Sequence, residues 1–190
     1  DILQTTIDKL TVAGYVYIGM DHFARPDDEL AIAQRDGTLY RNFQGYSTHA
    51  DCDLIGIGVT SIGKVANSYA QNVRTLDEYY QRIDAGRLPV FRGIALGRDD
   101  EVRRDVITRL ICHFELDYAK VEARWEIDFH RYFAPALVQL QAMREDELVS
   151  LDERGIRVLP KGRLLIRNIC MCFDKYLASK RSQGSFSKVI

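Results

Sequence analysis

Two neighbouring stretches of this chain carry residues that a packed core does not require. In Arg41-Asn42-Phe43-Gln44-Gly45-Tyr46 a single aromatic sits among polar side chains. It is followed by Asp53 to Gly63, DLIGIGVTSIG, an apolar run interrupted by Gly56, Gly58 and Gly63. A planar ring such as Phe43 can stack on a purine, and Gln44 offers both a donor and an acceptor to a purine edge or a ribose. The same residues are equally compatible with Phe43 in the core and Gln44 closing a turn. Glycine inside an apolar strand weakens it and marks a point where a ligand or another backbone comes close. Ile62 reads as core unless those glycines admit a ligand. Taken together, the two stretches read as one wall of a small-molecule site.

The other reactive residue types give weaker signals. His22 lies in Asp21-His22-Phe23-Ala24-Arg25-Pro26, read as a loop in which Asp21 or backbone satisfies the imidazole. His49, His113 and His130 have no ligand-like spacing to it. Arg25 belongs to a helix-capping run and could also face a ligand carboxylate. Arg92, Arg98, Arg163 and Arg167 are further anion candidates, since a guanidinium fork matches a carboxylate bidentately. Cys112 and Cys170 fall among apolar neighbours and read as reduced core residues. Cys170-Met171-Cys172 has too short a gap for a zinc knuckle, and on a helix its thiols point about 200° apart.

These residues need elements to position them. Residues 1 to 13 show helical spacing up to Gly14, and Tyr15 to Ile18 reads as a strand. Pro26-Asp27-Asp28-Glu29 opens a helix that runs to Arg35 and stops at Asp36-Gly37, its acidic residues at the positive end of the helix dipole. Leu39 to Tyr46 and Leu54 to Ile62 read as strands, with Lys64 to Gln71 pairing back on the second. Thr75 caps a helix through Ile83 with Leu76, Tyr79, Tyr80 and Ile83 on one side. The Pro- and Gly-containing segment 87–98 reads as a boundary.

Beyond it, Val102, Val106, Leu110 and Phe114 recur at i+4 beside Ile107 and Ile111, giving a helix with a wide apolar face. Two further helices are expected over 119–124 and 128–144. A hairpin follows, formed by 148–151 and 156–159 around Asp152 to Gly155, and one long helix then runs from Leu164 to about Ser179. This order of elements resembles a winged-helix module. The tip Asp152-Glu153-Arg154 lacks the basic cluster of a phosphate-tracking wing.

A net charge of −1 with 28% charged residues argues against a broadly basic nucleic-acid surface. No apolar run reaches the roughly 18 residues of a membrane span. Four unevenly spaced cysteines fit a reducing, cytoplasmic compartment. The chain starts at Asp1 within a helix-like segment, which predicts a fragment or a processed chain.

Several long blocks go further. GMDHFARPDDELAIAQRDGTLYRNFQGYST, DLIGIGVTSIG, SYAQN at 68–72, RGIAL at 92–96, RRDVI at 103–107 and KGRLLIRNICMCFDKYL at 161–177 resemble the radical-SAM family of oxygen-independent coproporphyrinogen III oxidases. The resemblance covers essentially all 190 residues, to the Phe-Ser-Lys-Val-Ile terminus. It implies an oxidoreductase of haem biosynthesis that converts two propionates of coproporphyrinogen III to vinyl groups with loss of carbon dioxide. The implied cofactors are a 4Fe-4S cluster and two S-adenosylmethionine molecules.

Phe43, Gln44 and Ile62 match family positions that shape the S-adenosylmethionine pockets, and Arg25 and Arg41 become substrate-binding candidates. The family's Cys-x3-Cys-x2-Cys cluster motif is absent from the four cysteines here, so no catalytic residue or metal ligand is expected in this chain. The resemblance therefore implies an α+β C-terminal portion, inactive by itself. Residues 1–97 would be the closing strands and helices of a partial (β/α) barrel. Residues 98–190 would be a mostly helical substrate-cover domain with a winged-helix-like hairpin. The implied partners are coproporphyrinogen III and the N-terminal part of the same protein, acting as a full-length cytoplasmic monomer without nucleic acid or membrane. A haem or porphyrin carrier is the alternative.

Overall fold

The computed structural model describes residues 2–180, so the Phe186 to Ile190 terminus lies outside the described residues. The chain mixes helices with short antiparallel strands. Helix α1 (Ile2–Val12) ends at Gly14, whose φ of +89° suits a residue without a Cβ. It leads into a hairpin of β1 (Val16–Gly19) and β2 (His22–Ala24). The segment read as a loop around His22 is thus partly strand. Helix α2 (Glu29–Arg35) is capped by Asp28, whose carboxylate accepts from Leu30 N at 2.9 Å.

The expected strand from Leu39 to Tyr46 is instead two short strands, β3 (Tyr40–Arg41) and β4 (Tyr46–Ser47). The Asn42 carboxamide oxygen accepts from Gln44 N and Gly45 N at 2.8 and 3.2 Å, and this side-chain turn reverses the chain. Residues 54–61 are likewise not a strand beyond one bridge, Leu54 with Lys64. Two contacts shape them as a loop. The buried Asn72 amide donates to Gly56 O and Gly58 O at 3.0 and 2.9 Å. A Cβ on Gly63 would lie 2.8 Å from Leu54 O and 3.2 Å from Gly56 N. Gly56 and Gly63 therefore admit each other's backbone rather than a ligand.

The hairpin β5 (Ile62–Val65) and β6 (Ser68–Asn72) turns at Ala66, and β7 (Val90–Ala95) adds a third strand in the order β5-β6-β7. The segment around Pro89 and Gly93 is thus a strand, where the sequence reads a boundary. Gly93 is needed there because a Cβ would come within 2.9 Å of Tyr69 O. Helix α3 (Leu76–Asp84) starts after Thr75 as expected, yet the Thr75 hydroxyl makes no cap hydrogen bond.

Helix α4 (Arg98–His113) buries Val102, Val106 and Leu110 completely. Around it pack α5 (Tyr118–Trp125), α6 (Phe129–Tyr132) and α7 (Ala134–Glu145). The helix expected over 128–144 breaks at Phe133 because Pro135, in the first turn of α7, has no N–H to continue an earlier helix.

The hairpin of β9 (Val149–Leu151) and β10 (Gly155–Val158) forms as expected. It gains β8 (Glu115–Asp117) as a third strand in the order β8-β10-β9. After α8 (Pro160–Arg163) the expected single helix is divided into α9 (Ile166–Met171) and α10 (Lys175–Lys180). Asp174 restarts the chain as a cap, accepting from Tyr176 N at 2.8 Å.

One apolar core runs from Ile18 in β1 to Phe173, through the tilted rings of Phe129, Phe133 and Phe173. Full burial of each such side chain contributes about 1.5–3 kcal/mol. Helices α1 and α3 bury no residue. Of the apolar side of α3, Leu76, Tyr80 and Ile83 face outward, 61%, 57% and 43% exposed. No helix among the described residues is long and apolar enough to cross a membrane.

Candidate functional site

A cleft of about 710 Å³ opens between the β5-β6-β7 sheet and helix α4. Sheet pairing dictates its first wall. Ile62 pairs with Gln71, which pairs with Arg92, and in the next row Lys64 pairs with Tyr69, which pairs with Ile94. These six residues occupy alternate positions along their strands, so they share one face of the sheet, and all six line the cleft. Helix α4 supplies the second wall through Asp100, Arg103, Arg104, Ile107, Thr108 and Ile111, spaced at 3–4 residues along one helix stripe. Tyr40 to Phe43 close one end, and Asp174 to Tyr176 the other.

The charge in this cleft is uneven. Arg41, Lys64, Arg92, Arg103, Arg104 and Lys175 face it, against the carboxylates of Asp100 and Asp174. Two of the cations are committed elsewhere. Arg103 Nε donates to Asp99 at 2.9 Å, and Lys175 Nζ lies 2.8 Å from Asp99 and 2.7 Å from Asp100. Burial would raise the Asp99 carboxyl, but hydrogen bonds from Lys175, Tyr132 and Arg103 outweigh it and hold it at about 2. Tyr176 donates to Asp100 at 2.8 Å, so the start of α10 is tied across the start of α4.

The other cations lack such strong partners. Arg92 Nε donates to Gln71 Oε1 at 2.9 Å. Arg104 reaches Glu101 only at 3.6 Å and Tyr69 Oη at 3.4 Å. Arg41 Nε is buried and has no hydrogen-bond partner, while its guanidinium lies 5.5 Å from the Tyr46 ring centroid. Lys64 Nζ donates to Ala50 O at 3.2 Å.

The residues singled out from sequence are divided by this geometry. Phe43, Ile62, Arg41 and Arg92 line the cleft. Phe43 is 53% exposed, with its ring edge-on to Tyr69 at 5.1 Å, so it is not the core residue of the bland reading. Gln44 is exposed on the adjoining turn and does not line the cleft. Arg25 also lies outside the lining, 76% exposed and 3.6 Å from Asp27. Arg98 donates to Trp125 O, and Arg163 lies over the Phe114 ring at 4.7 Å. His22 Nδ1 is 2.8 Å from Asp21 Oδ1, as the simpler reading expects.

Arg103, Arg104, Lys175 and Tyr176 were not singled out from sequence. The signal available was the polar flank beside the apolar face of α4, which becomes a wall only once the sheet is placed.

Cys112, Cys170 and Cys172 are buried and Cys52 is exposed. Burial pushes the Cys112 thiol up to about 12, which keeps it protonated and inert. The one grouping of metal-ligand residue types among the described residues is Glu122, Asp128 and His130, with no thiol in it. The residues here therefore do not fit an iron–sulfur cluster. An adenosyl group is better suited, since the apolar Ile62 and the half-exposed Phe43 ring stand beside the unsatisfied Arg41 donor.

The stretch from Leu96 to Leu165, which holds α4 and the β8-β10-β9 sheet, matches a known family model. Residues 96–165 match the model of the HemN C-terminal domain. The whole chain is 58% identical to the oxygen-independent coproporphyrinogen III oxidase of Escherichia coli and 51% identical to that of Pseudomonas aeruginosa, covering 42% and 41% of them. It thus spans less than half the length of these curated relatives and corresponds to their C-terminal part. A solved structure described as coproporphyrinogen III oxidase (HemN) from Escherichia coli, a radical SAM enzyme, aligns with a TM-score of 0.87 at 58% identity. The alignment covers 92% of this chain and 40% of that one. The segment that matches the HemN C-terminal domain supplies the α4 wall of the cleft, while the sheet wall precedes it in the chain.

Proposed function

We propose that this chain is the C-terminal portion of an oxygen-independent coproporphyrinogen III oxidase, a cytoplasmic monomer of haem biosynthesis. Here it forms one wall of the S-adenosylmethionine site and the cover over the tetrapyrrole. The observation that carries this reading is the composition of the cleft, with an apolar and aromatic end at Ile62 and Phe43 and a surplus of cations beyond it. Such a lining suits an adenine beside a polycarboxylate. Ile62 packs on the adenine face, Phe43 and the neighbouring Gln44 border the space between cofactor and substrate, and Arg41, which lines the same cleft, offers its guanidinium to a carboxylate. Arg25 is the outlying substrate-binding candidate, available only to a group that reaches past the cleft.

Ile62, Phe43 and Gln44 would hold S-adenosylmethionine, two molecules per site, which would supply hydrogen-atom abstraction from a propionate once given an electron by the cluster of the N-terminal portion. The chain's own residues hold the ligands in place, exclude water along the sheet face and orient the carboxylates. The cluster has no ligands here and belongs to the N-terminal portion of the longer protein. Residues 1–97 are the closing part of its barrel, and the outward apolar side of α3 is the surface that portion covers. Residues 98–190 are the cover domain, its β9–β10 hairpin placed like the wing of a winged helix.

Anaerobic turnover by the full-length, cluster-loaded protein tests this. Conversion of coproporphyrinogen III to protoporphyrinogen IX, dependent on S-adenosylmethionine, is the expected result. Stable haem binding without conversion would instead make the protein a carrier.

A further inference from the structure

The cleft holds more cationic side chains than an adenosyl group uses, and their placement follows from strand pairing. Ile62, Gln71 and Arg92 form one row across three strands. Adjacent strands are about 4.8 Å apart, so Arg92 stands about 10 Å from Ile62 on the same sheet face. Arg92 is not loose in that row. Its Nε donates to Gln71 Oε1 at 2.9 Å, which fixes the guanidinium plane and leaves its outer edge without a partner among the described residues.

Across the cleft, Arg104 projects from α4 and donates to Tyr69 Oη at 3.4 Å, and Tyr69 belongs to the next row of the same sheet face. Its carboxylate neighbour, Glu101, is too distant at 3.6 Å to satisfy the fork bidentately. Two guanidiniums from opposite walls face one space, each oriented by a neutral polar side chain, Arg92 with no carboxylate partner among the described residues and Arg104 with only the longer ion pair to Glu101. Asp100, the nearest acidic wall residue on α4, is already occupied by Lys175, Tyr176 and Gly97 N.

We propose that Arg92 and Arg104 are the carboxylate anchors that select a polycarboxylate tetrapyrrole in this cleft, with Gln71 and Tyr69 as their positioning residues. The inference rests on the proposed function, which puts the adenosyl group at Ile62. The anchors hold substrate carboxylates one tetrapyrrole width further along the sheet. They bind the substrate and take no part in the cofactor's own site.

The test uses the full-length protein and coproporphyrin III, the aromatic tetracarboxylate with the substrate's four propionates. Its affinity is read by fluorescence, alongside S-adenosylmethionine affinity and turnover. Arg92→Gln and Arg104→Gln are each expected to weaken coproporphyrin III binding about tenfold, the loss of one charge-assisted hydrogen-bonded contact. Arg92→Lys restores part of that loss, and S-adenosylmethionine affinity and the thermal midpoint stay unchanged. Wild-type affinity in the folded Arg92→Gln/Arg104→Gln double variant would overturn the proposal, as would a wild-type protein that does not bind coproporphyrin III. Binding that depends on both arginines without any turnover would keep the anchors and sink the oxidase reading.

Discussion

At the scale of single residues, Arg41 is where stability and function diverge most. Its Nε is buried without a partner, a loss of about 1–3 kcal/mol for a desolvated donor. The stacking on Tyr46 returns part of this, about 0.5–2 kcal/mol. Arg41→Met should therefore leave the thermal stability of the chain within about 1 kcal/mol of wild type. The same change in the full-length protein should lower turnover at least about tenfold if Arg41 holds a substrate carboxylate as proposed, since that contact is then gone. A large stability loss with unchanged turnover, measured by thermal melts beside the anaerobic assay, would make Arg41 a structural residue. Phe43 was only half legible in the sequence, a ring among polar residues that fits a ligand wall or a core equally, while Ile62 read as core and Arg41 became a candidate only through the family resemblance. Gln44 sits one position on, and the Asn42 turn lifts it out of the cleft.

At the scale of elements, backbone proximity explains what was misread. The glycines of DLIGIGVTSIG suggest an opening for a ligand, but Gly56 and Gly63 are packed against each other's main chain. Gly63→Ala should destabilise the chain by about 1–3 kcal/mol, the range for overpacking, since Leu54 O cannot move without breaking its bridge to Lys64. A melt unchanged by this substitution would show that the loop yields. Strand β7 escaped notice because Pro89 and Gly93 look like punctuation, whereas only the finished sheet reveals that Gly93 fits under Tyr69 O. Period and capping did disclose α2, α4 and the β9–β10 hairpin, all of which are local features.

The tie between α10 and α4 has a pH dependence with a definite sign. Asp99 lies at about 2 when folded, below the ordinary carboxylate value of about 4. Its contribution is fully present above about pH 4 and is lost as the pH falls toward 2. Between those limits wild type should lose stability faster than Asp99→Asn, followed by circular dichroism. Parallel curves would show that the Lys175 and Arg103 contacts are not coupled to folding.

For the molecule as a whole, one core unites β1 with α4 and Phe173, yet α1 and α3 contribute nothing to it. The cleft walls come from segments far apart in the chain, which is why Arg104 and Lys175 gave no sign in the sequence of facing Phe43 and Ile62. With Cys112 and Cys170 buried as neutral thiols and no thiol-containing ligand group among the described residues, iron and sulfide should produce no 4Fe-4S absorbance on this polypeptide. A stoichiometric cluster signal would contradict that. The central claim is that this chain is one side of an S-adenosylmethionine and tetrapyrrole site. Calorimetric titration of S-adenosylmethionine into the full-length protein, its Ile62→Ala variant and the 190-residue chain alone tests it most directly. The account predicts binding to the full-length protein, about tenfold weaker binding to the variant from the lost apolar contact, and none to the isolated chain. Equal affinity of wild type and Ile62→Ala, or full affinity in the isolated chain, would contradict it.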